Sequence, residues 1–115
     1  MMESQDIRAL VDLGFIALMR GHDRHAAAIF DGVQALRPEQ EAGFLGGAMV
    51  HLQRGEIRPA IAILRRLPPT DPAQTFLGIA LMRDGETREA RTILGHIIHT
   101  SDDPALVDLA RQTLG

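Results

Sequence analysis

The chain of 115 residues contains no cysteine, tryptophan or tyrosine, and arginine supplies all 12 of its basic residues. Without cysteine it can form neither a disulfide framework nor a thiolate metal site. Without lysine it has no Schiff-base nucleophile and no phosphate-binding P-loop. A net charge of −3 and the lack of any basic cluster argue against nucleic acid as a partner. These absences exclude several classes of enzyme and binding protein.

Long apolar runs are also missing. No stretch approaches the roughly 18 apolar residues that suggest a membrane-spanning helix. The N-terminal sequence MMESQDIRAL lacks the basic start and apolar run of a signal peptide. We therefore expect a cytoplasmic protein that does not bind membranes. Its length and its 45% hydrophobic residues predict one globular domain, residues 1–115.

What the chain does contain is an internal repeat. Residues 44–67 show helical apolar spacing on both sides of Gly55, which predicts two short helices joined by a turn. Glycines recur at 21, 55 and 85, at intervals of 34 and 30 residues. A small residue recurs seven residues before each glycine, and alanine recurs five residues after it. These positions are Gly14, Ala48 and Gly78, then Ala26, Ala60 and Ala90.

This pattern, over residues 7–104, resembles the tetratricopeptide repeat, with its 34-residue period, its Leu-Gly pair and its late alanine and proline. The resemblance implies an all-α fold of three tetratricopeptide-like helical hairpins plus a C-terminal capping helix. Such hairpins cannot bury their apolar faces alone and must stack on one another. The interval of 30 residues predicts a shortened third unit.

Capping preferences predict where the helices begin, because Ser, Thr and Asp favour N-cap positions and proline is tolerated in a first turn. The fourth helix should carry Pro59 in its first turn. The expected starting residues of the other six helices are, in chain order, Ser4 or Asp6, Asp23, Pro38, Asp71, Thr87 and Asp103.

Candidates for enzymatic chemistry are few. His22 and His25, and likewise His96 and His99, are three residues apart, so each pair can share a helix face. A zinc site usually needs three or four protein ligands, and neither pair has an obvious third. No serine lies between glycines as in a nucleophile elbow. We expect no catalytic residue, metal or cofactor; a metal-dependent enzyme that uses the histidines is the remote alternative.

The repeat points instead to a binding surface. In stacked helical hairpins the first helix of each pair lines the concave side, and here that side is apolar. An apolar, methionine-bearing groove suits an amphipathic helix laid along it. Alternatively these are core residues, covered by the seventh helix or by a homodimer contact. The predicted groove residues are Val11, Phe15, Leu18, Met19, Leu45, Met49, Leu52, Phe76, Ile79 and Met82.

With this groove, the chain resembles the small tetratricopeptide-like chaperones of bacterial type III secretion that hold the needle subunit. The similarity lies in chain length, in the opening DIRALVDLGFIALMRGHDRHAAAIF and in the ending SDDPALVDLARQTL. It implies that the groove binds the amphipathic C-terminal helix of the needle subunit and prevents premature polymerisation. It also implies a small helical co-chaperone on another face. A chaperone of translocator proteins and a generic tetratricopeptide interaction scaffold remain alternatives.

Overall fold

Seven α-helices account for most of residues 3–115, the part of the chain that the computed structural model describes. No strand occurs among these residues, so the predicted all-α fold and its number of helices are confirmed. None of the helices is both long enough and apolar enough to cross a membrane. The helices are α1 Ser4–Met19, α2 Asp23–Leu36, α3 Glu41–Gln53, α4 Ile57–Arg66, α5 Asp71–Arg83, α6 Thr87–Thr100 and α7 Pro104–Leu114.

Three of the connections share one turn, built on Gly21, Gly55 and Gly85. These glycines have φ values of +79°, +78° and +84°, a left-handed conformation that L side chains rarely adopt. In each turn the residue after the glycine donates its N–H to the carbonyl oxygen five residues earlier, at 2.8–2.9 Å. This bond belongs to the Schellman ending of a helix. The recurring glycines are therefore the points where α1, α3 and α5 end.

The unequal repeat intervals come from α4. Helices α2 and α6 have 14 residues each, whereas α4 has 10. A loss of four residues is close to one helical turn of 3.6 residues, so the apolar face keeps its direction. The shortening therefore lies in the second repeat of the sequence, which comprises α3 and α4. The expectation of a shortened third repeat is wrong.

Helices α5 and α7 both begin at or next to a proline; the start of α7 agrees with prediction, whereas that of α5 differs by one residue. Asp71 was expected to cap α5, but the helix includes it, and the Thr70 hydroxyl accepts the N–H of Ala73 at 3.3 Å. Asp103 caps α7 as predicted, because its carboxylate accepts the N–H of Ala105 at 2.9 Å. Thr70 and Asp71 both have side chains suited to an N-cap, and Thr70, the earlier of the two, is the N-cap of α5.

Other predicted starts are also displaced. Pro38 does not open α3; the Gln40 N–H donates to the Arg37 carbonyl at 3.1 Å, which closes a turn with proline in its second position. Helix α3 begins three residues later, at Glu41. Helices α1, α2 and α6 each include the residue expected to cap them, and their N-cap positions are Glu3, His22 and Glu86.

Two compact units make up the chain, and the boundary falls between Glu56 and Ile57. In the first unit, α1 packs on α2 to form a hairpin, and α3 packs on both. Its core contains Leu18, Ala26, Phe30 and Val50.

In the second unit, α5 and α6 form a hairpin, α4 packs on α5, and α7 packs on both α5 and α6. Helix α7 thus closes the end of this unit, as expected for a C-terminal capping helix. The core that it completes contains Leu94 and Ile97 of α6 and Leu106 and Ala110 of α7 itself.

The recurring small residues lie where helices approach most closely. A Cβ atom built on Gly14 would come within 2.7 Å of the Phe30 ring, and one on Gly78 within 2.5 Å of the Leu94 side chain. Real Cβ atoms essentially never approach a neighbour so closely, so a side chain at either glycine would force Phe30 or Leu94 to shift. The repeat pattern is therefore a packing pattern as well as a turn pattern. Ala26, Ala48, Ala60 and Ala90 are all completely buried.

Candidate helix-binding surface

The ten predicted groove residues have three kinds of environment. Leu18, Leu52 and Ile79 are buried, as the alternative interpretation of a core position would have it. Met19, the last residue of α1, is 83% exposed. The other six are half-buried: Val11, Phe15, Leu45, Met49, Phe76 and Met82.

Helices α1 and α3 bring several of these side chains together in the first unit. Val11 and Phe15 on α1 and Met49 on α3 all pack against the core that contains Leu18. Leu45 precedes Met49 by one helical turn and is likewise half-buried. We call Val11, Phe15, Leu45 and Met49 the α1–α3 surface.

An aromatic contact fixes the centre of this surface. The Phe15 ring meets the fully buried Phe30 ring edge to face, with centroids 4.9 Å apart and planes inclined at 63°. Edge-to-face pairs are favoured by the quadrupoles of the two rings and contribute about 0.5–1.5 kcal/mol beyond simple burial. The exposed part of Phe15 is therefore held in place by a rigid partner beneath it.

A pocket of about 260 Å³ opens beside Val11, at the end of the surface where α1 begins. This volume lies below the roughly 300–1,000 Å³ of typical small-molecule sites, so it suits one side chain of a protein partner better than a ligand. The pocket is lined by Ser4, Ile7, Arg8, Val11, Gln40 and Ala42.

Helix α5 carries the remaining three predicted groove residues in the second unit. Counted from the turn glycines, the position of Leu45 corresponds to Thr75 rather than to Phe76. Thr75 is completely buried, and its hydroxyl donates to the Asp71 carbonyl at 2.7 Å. Phe76 thus lies one residue away from the repeat position assigned to the groove, and an alignment on the glycines would have found this. The three α5 residues stay a prediction made from the sequence pattern.

Polar contacts beside the turns were not foreseen from the sequence. Asp23 at the start of α2 accepts a hydrogen bond from the Gln53 amide, and the Arg54 Nε lies 3.9 Å from its carboxylate. In the second unit, the Arg58 Nε at the start of α4 lies 3.8 Å from the Asp84 carboxylate. Both ion pairs join the start of a second helix to the residue before the next turn glycine, with the charges reversed.

The histidines offer few metal ligands. The rings of His22 and His25 have centroids 5.9 Å apart at the exposed start of α2. The His51 Nδ1 instead lies 2.9 Å from the Glu56 carboxylate. Within residues 3–115, no three His, Asp or Glu side chains are grouped so that they could hold a metal ion.

The α1–α3 surface offers half-buried apolar side chains from two helices, with a small pocket beside Val11. Its chemistry is hydrophobic contact, because Val11, Phe15, Leu45 and Met49 carry no titratable group. No protein-family model, curated protein or solved structure matches the chain.

Proposed function

We propose that this chain is a protein-binding helical-repeat module whose α1–α3 surface receives an amphipathic helix. The observation that carries the proposal is the set of half-buried apolar side chains on α1 and α3, above a tightly packed core. Phenylalanine supplies a rigid contact, and methionine adapts to irregular partners. A bound helix would place its i, i+3, i+4 and i+7 side chains along such a surface.

The finer proposal is a cytoplasmic chaperone of type III secretion that holds the amphipathic C-terminal helix of the needle subunit. Its support is the resemblance in the segments DIRALVDLGFIALMRGHDRHAAAIF and SDDPALVDLARQTL and in the tetratricopeptide-like repeat. A polymer-forming subunit exposes an apolar helix, and a chaperone that binds it reduces self-assembly by mass action. A small helical co-chaperone would complete the complex.

The proposed partner can be identified directly. Purification of the tagged chain from its native host, followed by mass spectrometry, should recover a short helical subunit that polymerises when released. Recovery of a translocator protein bound through an extended segment would favour that rival chaperone class. Recovery of unrelated signalling or pilus components would favour a generic interaction scaffold.

The binding surface is tested by Met49→Glu. In the bound state the new carboxylate would be buried without a partner charge, which typically costs several kcal/mol. At 1.4 kcal/mol per decade, affinity for the co-purified partner should fall roughly a hundredfold or more. Titration calorimetry with the purified partner measures this change.

Ala28→Glu is the matched control, because it introduces the same side chain at an exposed position of α2, outside the predicted groove residues. It should bind the partner as the wild type does. The helicity and melting temperature of both variants must be measured alone. A folded Met49→Glu chain that binds normally would contradict the proposal, and an unfolded one beside a folded Ala28→Glu chain would assign Met49 to the core.

A further inference from the structure

Helix α1 carries a second apolar row, on the side away from the core of its unit. Leu13 is 53% exposed and Ile16 is 44% exposed, and both lie in line with Ala9. Asp6 and Arg20 end the row. The spacing of three, four, three and four residues is that of a helix–helix seam. We call Asp6, Ala9, Leu13, Ile16 and Arg20 the outer seam; all five are exposed.

The internal repeat shows what this side of a first helix does elsewhere in the chain. At an interval of 34 residues, Leu13 and Ile16 correspond to Gly47 and Val50 of α3. That side of α3 is covered by α2: Val50 is buried, and a Cβ atom on Gly47 would lie 3.1 Å from the Gln34 amide nitrogen. The position of the outer seam is therefore one that receives a helix.

The same side of α5, the first helix of the third repeat, is also buried. Leu13 and Ile16 correspond to Leu77 and Ala80 of α5, which are buried, and α4 packs on α5. Both counterparts of the outer seam are thus covered by a neighbouring helix. On α1 the same side faces solvent, and no helix of residues 3–115 covers Leu13 or Ile16.

The charges at the ends of the seam indicate which helix fits it. Asp6 and Arg20 lie seven residues to either side of Leu13. Two copies of α1 packed antiparallel about Leu13 would bring Asp6 of one copy level with Arg20 of the other, at both ends. Parallel copies would place like charges together at both ends, which is unfavourable across an interface. We propose that the chain forms a two-fold symmetric dimer in which the outer seams of two copies pack antiparallel.

The exposed residues of α7 favour this closed arrangement over a head-to-tail chain of copies. No large apolar side chain of α7 is exposed, so this helix offers no counterpart to Leu13 and Ile16. Its exposed residues are Pro104, Ala105, Asp108, Arg111 and Gln112. A self-complementary patch closes as a dimer, whereas a head-to-tail contact needs two different patches. The contact of two 16-residue helices is also smaller than a standard interface of about 1,600 Å², so the dimer should dissociate on dilution.

Dimer formation and helix binding use different sides of α1. Val11 and Phe15 pack towards the core of the first unit, whereas Leu13 and Ile16 face away from it. The dimer proposal therefore goes beyond the proposed function and does not depend on it.

Sedimentation equilibrium of the full chain over a range of concentrations tests the dimer. The wild type should shift from monomer to dimer as concentration rises. Leu13→Glu would place two carboxylates at the symmetry axis, so it should remain monomeric, with unchanged helicity because position 13 is exposed. Ala28→Glu, at an exposed position of α2, should dimerise normally. A wild type that is monomeric throughout, or a Leu13→Glu chain that dimerises like the wild type, would overturn the proposal.

Charge reversal tests the pairing at the seam ends. Arg20→Glu and Asp6→Arg should each weaken the dimer, because each sets like charges against one another at both ends. The double variant should regain most of the wild-type association. Asp6 also accepts the Glu3 N–H at 3.1 Å, so helicity must be followed in parallel. Failure of the double variant to recover, with helicity intact, would contradict the Asp6–Arg20 pairing.

The orientation can be measured because the chain has no cysteine of its own. Gln5→Cys carries a single nitroxide label eight residues from Leu13. At 1.5 Å per residue, an antiparallel dimer separates the two labels by about 24 Å along the helix axis. A parallel dimer would hold them at about the interaxial distance of 8–10 Å. A short distance in pulsed electron paramagnetic resonance would overturn the proposed arrangement.

Discussion

Single residues decide how closely the helices of the first unit approach. The Phe30 ring is completely buried, and it lies against Gly14 of α1 and Gly46 of α3. A Cβ atom built at these glycines would come within 2.7 Å and 2.3 Å of the ring. One large side chain is therefore accommodated by two positions without side chains, on different helices.

Substitution of Gly46 tests this packing. Gly46→Ala should destabilise the protein by about 1–3 kcal/mol, because the added methyl group must displace the Phe30 ring or the helix backbone. Urea denaturation followed by far-UV circular dichroism measures the change, since the chain has no tryptophan.

Gly32 of α2 provides the matched control. A Cβ atom there would meet nothing within 4 Å, and alanine is a better helix former than glycine. Gly32→Ala should therefore stabilise the chain by roughly 0.5–1 kcal/mol. Stabilisation by both substitutions would show that the Phe30 contact is not tight.

Sequence periodicity predicted part of this arrangement. Gly14 stood out because small residues recur at its repeat position. Gly46 did not, because its importance depends on Phe30, which is 16 residues away in the chain and meets it only after α2 and α3 have packed. Repetition reveals contacts that recur in each unit, whereas a contact made in one unit requires the folded structure.

At the scale of helices, an ion pair joins α4 to α6. The two terminal nitrogens of the Arg65 guanidinium donate to the two carboxylate oxygens of Glu89, at 2.8 and 2.9 Å. These hydrogen bonds, together with the attraction of the opposite charge, lower the pKa of Glu89 and raise that of Arg65. Both side chains are nearly half exposed, so solvent and salt screen much of the attraction.

A double-mutant cycle of Arg65→Ala and Glu89→Gln should give a coupling energy of about 0.2–1 kcal/mol at neutral pH. Because the folded pKa of Glu89 lies below its ordinary value of 4.5, this stabilisation is fully present above that value. It is lost as the pH falls through the folded pKa. Denaturation at pH 7 and at pH 3 measures the difference. A coupling energy that is equal at the two pH values would show that the charges do not interact.

The existence of each helix could be predicted, but its first residue often could not. Asp23 has the side chain of a good cap, yet its carboxylate binds the Gln53 amide and lies near Arg54. That tertiary contact competes with capping and arises from residues 30 and 31 positions later. The turn glycines were predicted correctly because a left-handed backbone is a local requirement.

At the scale of the molecule, two units each have a core in which a large side chain packs on a glycine. In the first unit Phe30 packs on Gly46, and in the second Leu94 packs on Gly78.

The sequence predicted the groove as one continuous row of ten residues. The structure joins Val11, Phe15 and Met49 around the core of the first unit, whereas Phe76, Ile79 and Met82 belong to the second. Periodicity assigns a residue to a helix face but does not predict where one packed unit ends.

The division at Glu56 predicts how local damage spreads. Gly46→Ala strains the first unit, and Gly78→Ala strains the second, where a Cβ atom would lie 2.5 Å from the Leu94 side chain. In repeat proteins stability is approximately a sum of unit and neighbour terms, so local opening follows the weakened unit. Hydrogen exchange by mass spectrometry should therefore show faster exchange mainly in α1–α3 for Gly46→Ala and mainly in α5–α7 for Gly78→Ala. Equal acceleration in all seven helices for both variants would show that the chain opens as one cooperative unit, because a single global transition exposes every amide regardless of which core is strained.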